Sequence, residues 1–102
     1  MKRDFVRSIY ECPESYSGKE VTLGGWVRNL RDSKAFGFID LNDGSCHKSV
    51  QVVFERDKIN NYDEIAHQNV GAALVIKGTV ELTPTMKQPF EIKATEIGRA
   101  HV

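Results

Sequence analysis

Cysteine is scarce in this chain, and its two copies are isolated from each other. Only Cys12 and Cys46 occur among 102 residues, and no C-x-x-C spacing is present. Two isolated cysteines exclude a disulfide framework, and the spacing offers no zinc motif. His47 follows Cys46 directly, but one adjacent Cys-His pair is a poor metal signal. We therefore predict no metal site.

An excess of charge of either sign is also missing, because 14 Lys and Arg balance 14 Asp and Glu. Any electropositive surface must then be local, made by segregating charges on the folded protein.

No apolar run approaches the roughly 20 residues of a membrane span, and the basic start lacks the apolar core of a signal peptide. We expect a cytoplasmic protein with no membrane partner. A chain of this length suits one domain with a modest core.

Alternation of apolar and polar residues predicts most of the secondary structure. Residues 4–11 and a stretch of NNYDEIAHQNVG have helical spacing, and CPESYSGK is rich in turn residues. Asn61 and Glu64 form a possible capping box, Val70 falls on the apolar side of this helix, and Gly71 is a possible stop. Residues 83–89, TPTMKQP, are predicted to be a loop. Strands are predicted around residues 21–28, 35–41, 49–55, 73–82 and 90–97.

This order of elements predicts an all-β fold with a short N-terminal helix and one helix between strands 3 and 4. It is the order of an OB-fold, a five-stranded Greek-key barrel. An SH3-like barrel is the main alternative, but it usually lacks the helix. Gly24 and Gly25 predict a bulge or bend in the first strand, which must curve to serve both sheets. Trp26 lies next to this bend, and we interpret it as filling one end of the barrel.

The pleat of the second strand separates two sets of side chains. Ile39 and Leu41 point to one side and Phe38 and Asp40 to the other. The aliphatic pair is the natural choice for the core, so Phe38 is expected on the outer face, where an OB-fold binds its ligands. A buried Phe38 is the plainer alternative.

The neighbouring strands add polar groups to the face that carries Phe38. On the third strand the apolar alternation leaves Gln51 outward, and on the fifth it leaves Glu91 and Lys93 outward, with Arg28 and Arg31 at the edge. An aromatic ring stacks on bases, an amide reads a base edge, and arginine binds phosphate. A carboxylate on such a face makes sense mainly as a reader of base donors. The pattern favours binding of single-stranded nucleic acid.

The segment VTLGGWVRNLRDSKAFGFIDLNDGSCHKSVQVVFE resembles the N-terminal anticodon-binding OB domain of the class II synthetases for aspartate, asparagine and lysine. The shared features are Gly-Trp-Val, Arg-Asp at the turn, Phe-Ile-Asp and Val-Gln-Val. Two segments, RDSKAFGFIDLNDGSC and TPTMKQPFEIKATEI, are similar to asparaginyl-tRNA synthetase within that group. The resemblance covers about residues 4–97.

The resemblance implies a role for each matching position. Phe38 matches the phenylalanine that stacks on the central anticodon base, and Gln51 matches the glutamine that reads this uridine. Arg31 matches an arginine that contacts anticodon bases or backbone, and Glu91 matches an acidic residue that helps to read an outer base. Arg28 falls at a position where the family varies. The expected partner is a tRNA loop with the anticodon GUU.

The resemblance also implies what this chain lacks. A synthetase of this group carries a catalytic domain of some 300 residues that binds ATP and Mg²⁺, and its homodimer is formed largely by that domain. None of its motifs occurs here, so we expect no cofactor and no aminoacylation by this chain alone, and we expect the catalytic domain as a partner. We assign residues 1–97 to the OB domain. Residues 98–102 depart from the family, and we interpret them as a truncation artefact.

Two other functions remain open from the residues themselves. The first is a stand-alone OB-fold protein that binds single-stranded nucleic acid, which would be expected to show a basic excess and several exposed aromatics. The second is a small enzyme, for which Cys46 and His47 are the only candidate nucleophile and base. Sequence neighbours on a turn rarely point at one another.

Overall fold

Five strands close into a barrel in the hydrogen-bonded order β1-β2-β3-β5-β4, the arrangement expected for an OB-fold. The structure is a computed structural model and describes residues 4–83 and 89–99. All strand pairs are antiparallel except β3 with β5, which is parallel. The elements in chain order are α1 (Val6–Glu11), α2 (Pro13–Tyr16), β1 (Glu20–Asp32), β2 (Phe36–Asn42), β3 (Val50–Glu55), α3 (Tyr62–Ala66), β4 (Ala73–Leu82) and β5 (Phe90–Arg99).

The core follows from the alternation of the strands, because every second side chain points into the barrel. Ile39 and Leu41 of β2 are fully buried, as predicted, and so are three inward residues of β3. Burial of such aliphatic and aromatic groups contributes about 1.5–3 kcal/mol each to folding. The largest fully buried side chains are Phe54, Phe90, Ile9, Leu23, Ile39, Leu41, Ile65, Leu74, Ile76, Ile92, Val6 and Val27.

Strand β1 changes partner halfway along its length. Its first half pairs with β4 and its second half with β2, and Trp26 is the residue that pairs with both. Beside it, Gly25 lets the backbone of Asn42 approach so closely that a Cβ would lie 2.9 Å from the Asn42 carbonyl carbon. The prediction that this strand serves both sheets is therefore confirmed. The register shift lies not at the glycines but between Val27 and Asn29.

Helix α1 is held by side chains that lie far from it in the sequence. Its N-cap residue is Phe5, which makes no side-chain cap. Instead, the Asp43 carboxylate accepts a 2.8 Å bond from the amide of Val6, and the Ser45 hydroxyl accepts one from Arg7. Both groups come from the loop between β2 and β3. They satisfy amide groups that a helix start would otherwise leave unpaired.

Several local predictions are wrong in detail. The stretch CPESYSGK contains the short helix α2 rather than turns alone. Helix α3 ends at Ala66, so Gly71 does not stop it, and Val70 is 69% exposed rather than packed. Asn61 lies at the N-cap of α3 but makes no side-chain cap there, because its amide donates to the carbonyl of Ile97 on β5.

Trp26 does not fill the barrel end, because it is 49% exposed. Its neighbour Val27 occupies the inward position of β1 and is fully buried, so alternation turns the indole outward, beside Gly44. The predicted loop at 83–89 lies mostly outside the described residues, as does the end of the chain after Arg99. Among residues 4–83 and 89–99, no helix is long and apolar enough to cross a membrane.

The hairpin between β1 and β2 is braced by α3. Asp32 accepts hydrogen bonds from the Lys34 amide at 2.8 Å and from the Tyr62 hydroxyl at 2.5 Å. Arg56 places its guanidinium over the Tyr62 ring, 4.3 Å from the centroid, and donates to the Lys34 carbonyl at 2.8 Å. Lys34 has a φ of 73°, a left-handed conformation that these bonds help to hold. The hairpin is thus fixed where it borders the outer face of β2.

The close approach at Gly25 makes its replacement costly. Gly25→Ala should lower the free energy of unfolding by about 1–3 kcal/mol, because the new methyl group meets strand backbone that cannot rotate away. Gly98→Ala is the matched control, since a Cβ at this other strand glycine meets nothing within 4 Å. Urea denaturation of both variants measures the difference. Equal stability of the two variants would contradict the contact.

The environment of Tyr62 predicts that its phenol loses its proton at a higher pH than an ordinary tyrosine. Burial first, and then the hydrogen bond to Asp32, raises the pKa of Tyr62 from 10.0 to about 12. Because the folded state favours the protonated phenol, this stabilisation is complete below pH 10 and disappears as the pH rises through about 12. The difference in near-ultraviolet absorbance between wild type and Tyr62→Phe isolates this titration among the three tyrosines.

Asp32→Asn is the control for this assignment. Removing the carboxylate should move the Tyr62 transition downward but leave it above 10.0, because burial is the larger cause. The same hydrogen bond lowers the pKa of Asp32, so its contribution is present above the ordinary carboxyl pKa and is lost as the pH falls through the lowered value. A Tyr62 pKa that is unchanged in Asp32→Asn would refute the contribution of the hydrogen bond.

Candidate nucleic-acid interface

Phe38 lies on the outer face of the barrel, as predicted from the pleat of β2. Its neighbour Ile39 is fully buried, whereas Phe38 is only half-buried. The hydrogen-bonded register places Phe38 opposite Arg31 on β1 and opposite Val53 on β3. The ring therefore lies on the central strand of three, with β1 on one side and β3 on the other.

Arg31 already contacts this ring. Its guanidinium carbon lies 5.0 Å from the centroid of Phe38, a cation–π arrangement. Cross-strand pairing sets this contact, because directly opposed residues share a face of the sheet. The side chain is exposed, so the guanidinium can donate to a phosphate or to a base edge.

Gln51 shares the face with Phe38. It pairs in register with Asp40, while Phe38 pairs with Val53 two residues further along β3, so Gln51 is the diagonal neighbour of the ring. The side chain is half-buried. A half-buried amide on a rigid strand presents both a donor and an acceptor at a defined position beside the ring.

Strand β5 adds charges of both signs to the far side of this face. Lys93 lies beside Val53 in the parallel pairing, and its ammonium is 3.1 Å from the carboxylate of Glu81. This hydrogen bond raises the pKa of Lys93. Glu91 is half-buried and opposes Glu81 in the sheet. The side of the face toward β4 and β5 therefore carries two carboxylates and one ammonium, and the positive charge of Lys93 is largely balanced.

The positive end of the face is the β1–β2 hairpin. Arg28 is exposed at the bulge between Val27 and Asn29, and Arg31 and Lys34 follow toward the turn. The six predicted contact residues thus lie on the outer surface of β1, β2, β3 and β5, with cations at the hairpin and charges of both signs on β5. Their roles in binding remain predictions.

Phe36 also lies on this face, although it is not among the contact residues predicted from the sequence. It is 41% exposed, and its ring meets that of Phe38 with the centroids 5.5 Å apart and the planes at 87°. The signal was present, because residues two apart in a strand share a face and Phe36 lies within the predicted second strand. The outer face therefore carries two aromatic rings.

The Cys46–His47 pair gains no support as a catalytic site. The Cys46 thiol lies 3.6 Å from the carbonyl of Lys48, to which it can donate, and His47 is exposed on the same loop. Within the part of the chain that the structure describes, no group of three or more His, Cys, Asp or Glu residues could hold a metal ion.

Known proteins are similar to this chain in sequence and in fold. The family model for the OB-fold nucleic acid binding domain, labelled tRNA anticodon, matches residues 21–99. The asparagine–tRNA ligase of Acetivibrio thermocellus is 53% identical over 97 residues, which are 95% of this chain and 21% of that protein. The chain therefore spans about a fifth of the length of this curated relative.

Solved structures agree on the architecture. Asparaginyl-tRNA synthetase from Pyrococcus horikoshii, complexed with asparaginyl-adenylate, matches 97% of this chain and 22% of its own, with a TM-score of 0.84 and 17% identity. An OBody bound to hen egg-white lysozyme matches 97% of this chain and 94% of its own, with a TM-score of 0.81 and 27% identity. The family model covers most of the chain, and the closed five-stranded barrel is the architecture of an OB-fold. This chain therefore belongs to the OB-fold nucleic acid binding domain family.

Proposed function

We propose that this chain binds the anticodon loop of the asparagine tRNA, as the anticodon-binding part of an asparagine–tRNA ligase. The outward Phe38 with Arg31 over its ring is the observation that carries the proposal. The ring supplies a stacking platform and the guanidinium a group that can bind phosphate, both at the centre of the exposed face. The chain is also 53% identical to such a ligase over 97 residues.

The proposed pose assigns one task to each group. The central uridine of GUU stacks on Phe38, and Gln51 reads its edge from the neighbouring strand. Arg31 donates to the adjacent phosphate or base. Glu91 accepts from a base donor near β5, where a carboxylate would repel backbone phosphate. The hairpin cations, including Arg28, line the path of the backbone.

The ligase reaction itself belongs to a longer protein in this proposal. The chain spans about a fifth of its ligase relatives, so ATP, Mg²⁺, amino-acid activation and dimerisation are assigned to the rest of such a protein, working in the cytoplasm. The 102-residue chain should bind RNA without charging it. This division fits an outer face that carries aromatic, amide and guanidinium groups.

Loss of the central ring should weaken RNA binding without unfolding the protein. Phe38→Ala should reduce the affinity for an anticodon stem-loop bearing GUU by about 1–3 kcal/mol, because a base loses its stacking platform. Fluorescence titration measures the affinity. Phe5→Ala is the control, since Phe5 is also an exposed phenylalanine, at 53%, but lies outside the face.

The same experiment can reject the proposal. If Phe38→Ala and Phe5→Ala bind the stem-loop as tightly as wild type does, the outer face of β2 is not the binding site. If wild type shows no preference for the stem-loop over a duplex of equal length, the chain does not recognise an anticodon loop.

Gln51 should determine the preference for the central base. A uridine edge offers a donor and an acceptor to the amide, whereas a cytidine leaves a polar group unpaired, at a cost of about 1–3 kcal/mol. We expect a GUU loop to bind more tightly than a GCU loop. Gln51→Ala should reduce this difference in affinity, because it weakens binding of the GUU loop most. Titration of both loops against wild type and variant measures the two affinities.

Phe38→Ala is the matched comparison for Gln51→Ala. It should weaken both loops similarly, because every base has a π-face. Equal losses on the two loops for Gln51→Ala would show that Gln51 supports the face without reading the base.

A further inference from the structure

The outer face holds one aromatic ring more than a single stacked base requires. Phe36 stands two residues before Phe38 on β2 and is the more exposed of the two, at 41%. A ring that only filled the core would have its faces covered. This one packs edge-to-face against Phe38 and leaves much of its own surface to solvent.

The angle between the rings constrains what can stack on them. Their planes are at 87° with the centroids 5.5 Å apart. Bases that stack on each other are parallel, so a stacked pair cannot lie flat on both rings at once. Two consecutive bases can occupy both rings only if they are unstacked and turned apart, which is the state of bases splayed out of a loop.

The backbone beneath Phe36 is fixed by the hairpin. The Ser33 amide donates to the Phe36 carbonyl at 2.9 Å, which closes the turn. Arg56 and Tyr62 then hold this turn from the other side through Lys34 and Asp32. The ring is thus presented by a rigid element, and ordering it for a ligand costs little.

Charge near the two rings suits a nucleotide linkage. Arg31 opposes Phe38 in the sheet, and Lys34 stands at the tip of the turn, two residues before Phe36. Glu55 opposes Phe36 on β3, so this part of the face carries both signs of charge. A phosphate that joins a base on Phe38 to a base on Phe36 would therefore lie on the β1 side of the two rings, beside Arg31 and away from Glu55.

We propose that Phe36 forms a second stacking subsite, which takes the unpaired base adjacent to the one held by Phe38. The inference rests on the proposed function, because it assumes an RNA loop on this face. It makes the minimal ligand two consecutive unstacked nucleotides, and it makes Phe36 a determinant of selection for loops over duplexes.

A double-mutant cycle between protein and RNA tests the subsite. Wild type and Phe36→Ala are titrated against the GUU stem-loop and against two versions in which the first or the third anticodon base is replaced by an abasic residue. For one of the two positions, removal of the base should cost wild type about tenfold in affinity and should cost Phe36→Ala almost nothing. Phe36→Leu, which keeps an apolar side chain, should behave like Phe36→Ala.

Controls separate the possible failures. Urea denaturation of Phe36→Ala should show a protein that stays folded under the titration conditions, because the ring lies outside the core and loses mainly its edge-to-face contact with Phe38. If wild type binds the GUU loop and Phe38→Ala weakens it, but Phe36→Ala shows no coupling to either neighbouring base, the second subsite is refuted and the proposed function stands. If wild type does not bind the loop at all, both are refuted.

Discussion

The exchange of partners along β1 is the constraint on which the barrel depends. One strand must pair with β4, turn, and then pair with β2, and the turn succeeds because Gly25 has no Cβ to strike the backbone of Asn42. The second half of β1 is thereby laid beside β2 on the outer face. This places Arg31 opposite Phe38, so the feature that closes the barrel also assembles the centre of the candidate interface.

Rigidity at the hairpin and imbalance of charge across the face complete the site. The tyrosine of α3 and Arg56 hold the turn in place before any ligand arrives, which reduces the ordering that binding requires. A chain with no net charge nevertheless gains a cationic end at the hairpin and two opposed glutamates, Glu81 and Glu91, on β4 and β5. This local separation can orient an RNA loop, although the whole molecule has no electrostatic attraction for it.

Sequence alone predicted the parts of this structure that follow the two-residue alternation of side chains along a β-strand. The faces of β2, β3 and β5 follow from alternation, and so does the outward position of Phe38. Contacts between distant residues were not accessible in this way. The Asp43 carboxylate caps a helix 37 residues before it, and Asn61 bonds to β5 rather than to its own helix. Trp26 was misplaced because its position next to the glycine bend was taken to turn it into the end of the barrel, although β1 alternation already put Val27 inside.

In the proposed complex, the contact between Arg31 and Phe38 would let a protein with no net charge bind a polyanion. In the free protein the guanidinium occupies the aromatic ring, a contact worth about 0.5–1 kcal/mol at an exposed site. A stacked base contributes about 1–3 kcal/mol, so a base can displace the guanidinium with a net gain. The displaced arginine is then beside the nucleotide that displaced it and can pair with its phosphate. One residue would thus shield the ring in the free state and hold the backbone in the proposed complex, and no excess of basic residues would be needed.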